Sequence, residues 1–165
     1  MRAGRYRLLV VLLVLLGLHF YLRPRLWSEH LAAAAPDFLL VALMLFAIRA
    51  RPGNAALAGF VIGLIGDALV PARFGSSALA HTVVGYLAAW GRAVFFADNV
   101  VVNGALIAVG LWLRNLIVLL AGGTGSDELV ASLALWSPAQ ALITALGGVA
   151  VLVVFRSWLD IRLEE

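Results

Sequence analysis

The stretch "GFVIGLIGDALV", residues 59–70, combines a glycine-studded apolar run with one carboxylate, Asp67. On a helix, Gly59, Gly63, Gly66 and Asp67 share one face, because residues three and four positions apart lie side by side. Such a smooth face lets a second helix approach closely, and a charge in hydrocarbon is costly unless it is turned toward protein. The stretch therefore predicts a membrane helix whose glycine face and aspartate are buried between helices.

The composition of the whole chain also indicates a lipid bilayer. Of 165 residues, 64% are hydrophobic and 13% are charged, and the apolar residues lie in long blocks. A hydrocarbon core about 30 Å thick needs roughly 20 apolar residues per helix, so this length allows about six crossings and no separate soluble domain. The absence of cysteine excludes disulfides and thiolate chemistry. The net charge of +3 comes from arginine without lysine, and we expect it to set topology rather than to bind nucleic acid.

Six apolar segments separated by turn-forming residues predict an all-α, polytopic fold, with residues 1–165 as a single integral membrane domain. The predicted helices cover approximately residues 8–22, 36–48, 55–71, 77–96, 100–121 and 134–155. The second segment is short, so a re-entrant loop is its alternative; we favour a crossing, because a loop would invert every later segment. We interpret the first segment as an uncleaved helix, since the small residues at 32–35 lie far beyond it for a signal-peptide cleavage site.

The distribution of arginines predicts the orientation. With the N-terminus inside, eight arginines fall on the cytoplasmic side, namely Arg2, Arg5, Arg7, Arg49, Arg51, Arg92, Arg156 and Arg162. Only three fall outside, namely Arg23, Arg25 and Arg73. The positive-inside rule therefore predicts that both termini are cytoplasmic.

Polar side chains inside the predicted helices are candidates for function or packing. Apart from Asn103, they fall toward the outer end of the bundle and form a predicted intramembrane polar cluster of His19, Asp67, His81, Arg114, Asn115 and Gln140. Matching depths along the helices leads to the hypothesis of an Asp67–Arg114 ion pair; the alternative is that Asp67 reaches the headgroup region. No metal-ligand spacing, nucleophile motif or phosphate loop is present, so we expect no catalytic residue, metal or cofactor.

One ordered series of residues runs from the second to the fourth predicted helix. It consists of Pro36 and Asp37, then Arg49 and Arg51, then Gly59, Phe60, Gly63 and Asp67, and finally "SALAHTVVGYL" at 77–87. This series resembles the pattern of the MreD family of bacterial rod shape-determining proteins. The resemblance covers about residues 36–96. It departs from the family in the turn "PARFGSSAL", where Pro71 and Arg73 are added to a segment of small residues.

The resemblance implies a non-enzymatic inner-membrane scaffold of the cell-elongation complex, acting in cell shape and peptidoglycan synthesis. The expected partner is an MreC-like single-span protein, with RodA and a class B penicillin-binding transpeptidase reached through it. The family is also similar in fold to the membrane-embedded substrate-binding subunits of energy-coupling-factor transporters. A small-molecule-binding subunit, with the polar cluster lining its pocket, is therefore the alternative.

Short outer turns and smooth helix faces favour the binding of a protein over that of a small molecule. Gly59, Gly63 and Gly66 form the smooth face of the third predicted helix, and Gly85 lies in the fourth. We expect the partner's membrane helix to dock near Gly63 and Gly85.

Overall fold

A computed structural model describes residues 2–26, 34–68, 73–92 and 99–155 as a bundle of helices. In chain order they are α1 (Arg2–Leu26), α2 (Phe38–Ala47), α3 (Pro52–Asp67), α4 (Ser76–Arg92), α5 (Val100–Ala121), α6 (Ser126–Ala131), a π-helical turn (Ser132–Trp136) and α7 (Ser137–Phe155). The last three run without a break, so the described residues form six helical segments. This all-α arrangement of six segments agrees with the prediction.

Several predicted boundaries are wrong by a few residues. α1 continues to Leu26 through the predicted break at 23–25. α3 begins at Pro52, since the fixed backbone of proline suits the first helical turn, and it ends at Asp67 rather than at 71. The predicted end of the fourth helix, residue 96, lies outside the described residues.

The final segment begins at Ser126, well before the predicted residue 134. Asp127 and Glu128, which the sequence assigns to a loop, lie in the first turn of α6. Carboxylates are stabilising there, because the unpaired N–H groups of a helix start carry a partial positive charge. A charged stretch that resembles a loop is thus the start of a helix.

α2 is the central helix of the bundle. It contacts α1, α3, α4, α5 and α7, and every residue from Leu39 to Leu45 is buried. A helix that is apolar on all sides is stable where other elements surround it. Its ten residues extend over only about 15 Å. Because its neighbours shield it from lipid, α2 does not have to match the thickness of the hydrocarbon.

α3 and α4 pack with their backbones in direct contact. A Cβ atom added at Gly59 or Gly63 would clash with the backbone of α4, and one added at Gly85 would lie 2.5 Å from the carbonyl oxygen of Ala55. Glycine permits this approach from both helices. The glycine face of α3 is therefore a helix-packing face, and the helix that fills it is α4 of the same chain.

The apolar surface of the bundle faces outward. The most apolar 18-residue windows of the helical segments Val100–Ala121 and Ser126–Phe155 each reach a mean hydropathy of 2.0, with only 22% and 28% of the residues in each window buried inside the protein. A core helix of a soluble protein with this composition is mostly buried, because large exposed apolar surfaces are avoided in water. Val100–Ala121 is also about 33 Å long, close to the thickness of a bilayer core. These features indicate a membrane protein.

Candidate functional site

Asp37 begins α2 and is the centre of a buried polar cluster. Its Oδ1 atom accepts hydrogen bonds from the backbone N–H groups of Leu39 and Leu40, both at 3.1 Å, so Asp37 is the N-cap of α2. Its own N–H donates to Oγ1 of Thr144 in α7, at 3.1 Å. Only 1% of Asp37 is exposed. One buried residue thus defines the start of the central helix and connects it to α7.

Two basic side chains from other helices flank the Asp37 carboxylate. Nδ1 of His19 in α1 lies 3.6 Å from Oδ1, and Nε of Arg114 in α5 lies 3.7 Å from Oδ2. Both separations are longer than well-formed hydrogen bonds; the Arg114 contact is ionic, and the His19 contact is ionic when the imidazole is protonated. A buried carboxylate is tolerated where opposite charge and hydrogen bonds compensate for its lost hydration. Asp37 has both kinds of compensation, and Arg114 supplies permanent positive charge.

A series of side-chain hydrogen bonds continues from Arg114 to α7. Nη1 of Arg114 donates to Oδ1 of Asn115 at 2.9 Å. Nδ2 of Asn115 donates to Oε1 of Gln140 at 2.8 Å and to Oγ of Ser137 at 3.2 Å. Nε2 of Gln140 in turn donates to the carbonyl of Ala35, at 2.8 Å, just before α2. We call these residues, with His19, Asp37 and Thr144, the Asp37 cluster; it joins α1, α2, α5 and α7.

His81 of α4 lies close to the Asp37 cluster. It is fully buried, and its Nδ1 atom donates to the carbonyl oxygen of Ser77 at 2.8 Å. Its Nε2 atom is buried and has no hydrogen-bond partner among the described residues. The imidazole is within electrostatic range of Asp37, Arg114 and Asp67. His81 thus lies within electrostatic range of both buried carboxylates.

Asp67, the second buried carboxylate, caps the start of α4. Its oxygens accept hydrogen bonds from the backbone N–H groups of Gly75 at 3.0 Å, Ser77 at 3.0 Å and Ala78 at 2.9 Å. Gly75 has φ +95°, a conformation that glycine adopts without strain. Asp67 is only 1% exposed, as its position on the glycine face predicts.

The predicted Asp67–Arg114 ion pair is wrong. Arg114 lies against Asp37, and Asp67 is compensated by backbone N–H groups. The start of a helix offers unpaired N–H groups and a partial positive charge, so a carboxylate there needs no basic side chain. Depth along a helix, on which the prediction rested, does not determine the direction in which a side chain points.

The structure divides the predicted polar cluster into parts. It brings His19, Arg114, Asn115 and Gln140 together around Asp37, with His81 beside them. Asp67 belongs to the separate cap of α4. The sequence interpretation left Asp37 out of the cluster, although an aspartate directly before an apolar run is a typical N-cap signal.

Two hydroxyl residues of the Asp37 cluster were also missed. Ser137 and Thr144 lie on one face of α7 with Gln140, at spacings of three and four residues, and all three are buried. A polar stripe of this spacing on an otherwise apolar helix is a signal that sequence analysis can use, because polar groups in membrane helices turn toward protein.

In the structure, the packing of α3 against α4 occupies the expected docking position near Gly63 and Gly85. A partner helix cannot reach either glycine while these two helices are in contact. Gly66 faces α2 instead, where an added Cβ atom would lie 3.5 Å from Leu39. Helices joined by a short turn usually pack against each other, so the two smooth faces of this chain meet first.

The chemistry of the Asp37 cluster is that of helix association. Its amide, hydroxyl and charged groups are directed at one another and at the backbone. Within residues 2–26, 34–68, 73–92 and 99–155, no group of three or more His, Asp or Glu side chains is placed to hold a metal ion. The arrangement holds four helices together at one end of the bundle.

Comparison with known proteins gives one match. The family model described as rod shape-determining protein MreD matches residues 1–159, which include the whole Asp37 cluster and the cap of α4. No curated protein and no solved structure is similar enough to count as a match. Because the family model covers nearly the entire chain, this protein belongs to the MreD family of rod shape-determining proteins.

Proposed function

We propose that this protein is a non-enzymatic scaffold of the rod complex in the bacterial inner membrane, where it binds an MreC-like single-span partner. Family membership assigns it a role in rod shape determination. The observation that carries the scaffold proposal is the Asp37 cluster, whose polar groups are used to hold helices together. RodA and a class B penicillin-binding transpeptidase are reached through the partner. The comparisons give no support to the transporter-subunit alternative.

The proposed topology has six crossings, both termini in the cytoplasm and the Asp37 cluster near the outer surface. Arg49 and Arg51, between α2 and α3, are exposed at the opposite end of α2 from Asp37, and the positive-inside rule favours the cytoplasm for that end. The chain contains no cysteine, so single cysteines report topology directly. A membrane-impermeant maleimide added to intact spheroplasts should label Gly125→Cys and spare Gly53→Cys. The reverse pattern would invert the topology.

For the partner's helix we propose a site on the surface of α3 that faces away from α4. A cleft of about 420 Å³ lies there, between α3 and the end of α2; its lining is mostly apolar and consists of Phe46, Asn54, Leu57, Ala58, Val61 and Ile62. The small side chain of Ala58 permits close helix contact, and Asn54 offers one hydrogen-bonding group. This surface is distinct from the glycine face that α4 fills.

Co-purification tests the scaffold proposal. The full chain is expressed with the MreC-like protein of the same bacterium and extracted in mild detergent, and we expect the two to elute together. A photo-crosslinking amino acid at Ala58 should then trap the partner, whereas one at Leu142, exposed on α7, should not. Absence of co-elution contradicts the scaffold proposal. Co-elution with equal crosslinking at both positions contradicts only the location.

A further inference from the structure

A cleft at the edge of the Asp37 cluster is lined by its members Arg114, Asn115 and Ser137 and also by Arg73, which the scaffold function does not require. It has a volume of about 170 Å³ and lies between α5 and the π-helical turn. Its lining combines basic, polar and apolar residues, among them Arg73, Arg114, Asn115, Ser132, Val118 and Trp136. No aspartate or glutamate lines it. Such a mixed lining suits an amphipathic ligand.

The charge of the cleft is positive. Arg114 forms an ionic contact with Asp37, and its side chain is 17% exposed. Arg73 is exposed, and its guanidinium forms no hydrogen bond or ion pair with any residue that the structure describes. The side chain of Arg73 runs close to Gly122, where an added Cβ atom would lie 3.2 Å from Cδ of Arg73. This contact positions the Arg73 side chain across the end of α5.

The wall opposite α5 is held in place by a tryptophan. Nε1 of Trp112 in α5 donates to the carbonyl oxygen of Leu133, at 3.2 Å, within the π-helical turn. π-helical turns are rare and are found frequently at functional sites, because the wider turn redirects side chains. Here the turn contributes Ser132 and Trp136 to the lining of the cleft.

We propose that this cleft binds the phosphate group of an anionic phospholipid in the leaflet at this end of the bundle. Guanidinium groups bind phosphate through paired charge-assisted hydrogen bonds, and Arg73 and Arg114 place two of them at one cleft. Val118 and Trp136 offer apolar surface to the start of the acyl chains. The volume is below the roughly 300–1,000 Å³ typical of small-molecule pockets, which favours a headgroup over a larger solute.

Native mass spectrometry of the full-length protein with dioleoylphosphatidylglycerol tests this proposal. Arg73→Gln should weaken lipid binding about tenfold, as expected for the loss of one charge-assisted contact. Arg51→Gln, which makes the same charge change at an exposed arginine at the other end of α3, should leave binding unchanged. Dioleoylphosphatidylcholine should bind more weakly than the anionic lipid. Equal thermal unfolding of both variants would establish that the fold is intact.

Two results would overturn the proposal. If Arg73→Gln and Arg51→Gln weaken lipid binding equally, lipid binding depends only on the overall charge of the protein, and the cleft is not the binding site. Full displacement of the lipid by inorganic phosphate at millimolar concentration would assign the cleft to a free anion and refute the lipid as its ligand.

Discussion

Replacing Asp67 tests how a buried carboxylate is compensated without a basic partner. Its oxygens accept three hydrogen bonds of 2.9–3.0 Å from the N–H groups at the start of α4, and only 1% of the residue is exposed. Asp67→Ala removes both acceptor oxygens, and with them all three hydrogen bonds, and leaves the N–H groups in a site that water reaches poorly. Asp67→Asn keeps one oxygen but turns an NH₂ group toward a backbone donor.

The expected losses follow from the number of hydrogen bonds removed. A hydrogen bond to a charged group contributes about 1.5–3 kcal/mol, whereas truncating a helix N-cap costs about 0.5–2 kcal/mol, because the helix start relaxes. For Asp67→Ala we expect the free energy of unfolding to fall by about 3–4 kcal/mol. For Asp67→Asn we expect a fall of about 1–2 kcal/mol.

Thermal unfolding in detergent micelles, followed by circular dichroism, measures these losses. For a chain of this length 1 kcal/mol corresponds to roughly 2–4 °C, so Asp67→Ala should lower the melting temperature by roughly 6–16 °C. Combining Asp67→Asn with Arg114→Gln gives the decisive comparison. Since these side chains form no ion pair, their effects should add to within about 0.5 kcal/mol. A coupling energy well above 1 kcal/mol would refute the capping argument and restore the ion pair.

The same unfolding assay checks three further predictions. Gly63→Ala should destabilise the protein by more than about 2 kcal/mol, because the new methyl group clashes with the α4 backbone. Gly17→Ala, which has no neighbouring atom within 4 Å, should stabilise it by about 0.5–1 kcal/mol, and equal effects of the two substitutions would contradict the close helix contact. Asp37→Asn and Arg114→Gln should be coupled by about 1 kcal/mol or more, and additivity would show that their ionic contact contributes nothing. Thr144→Val removes the acceptor for the N–H of Asp37 and should cost about 1–3 kcal/mol; unchanged stability would mean that this donor does not need Thr144.

Much of the fold could be predicted because its signals are local. Blocks of apolar residues identify helices for a bilayer, and turn residues separate six segments, whatever the helices contact. Asn99, in a predicted break, indeed caps α5 through hydrogen bonds of 2.8 and 3.3 Å to Val101 and Val102. The glycine spacing before Asp67 likewise predicted a close helix contact. Helix ends were less predictable, because Ser126 and the acidic residues after it suit a loop as well as a helix start.

The sequence predicted most residues of the candidate site, but it did not predict which of them contact each other. Polar residues in apolar helices must turn toward protein, so the sequence alone identifies His19, Arg114 and Gln140 as inward-facing. It cannot say that Arg114 meets Asp37 rather than Asp67, since that depends on which helices are neighbours and how each is rotated about its axis. Tertiary structure decided both, by placing the short helix α2 at the centre and by closing α3 on α4. The sequence by itself determined that the helices lie in a lipid bilayer, where they are in the chain, and which polar residues are buried. Only the packing of those helices determined which group compensates each charged side chain.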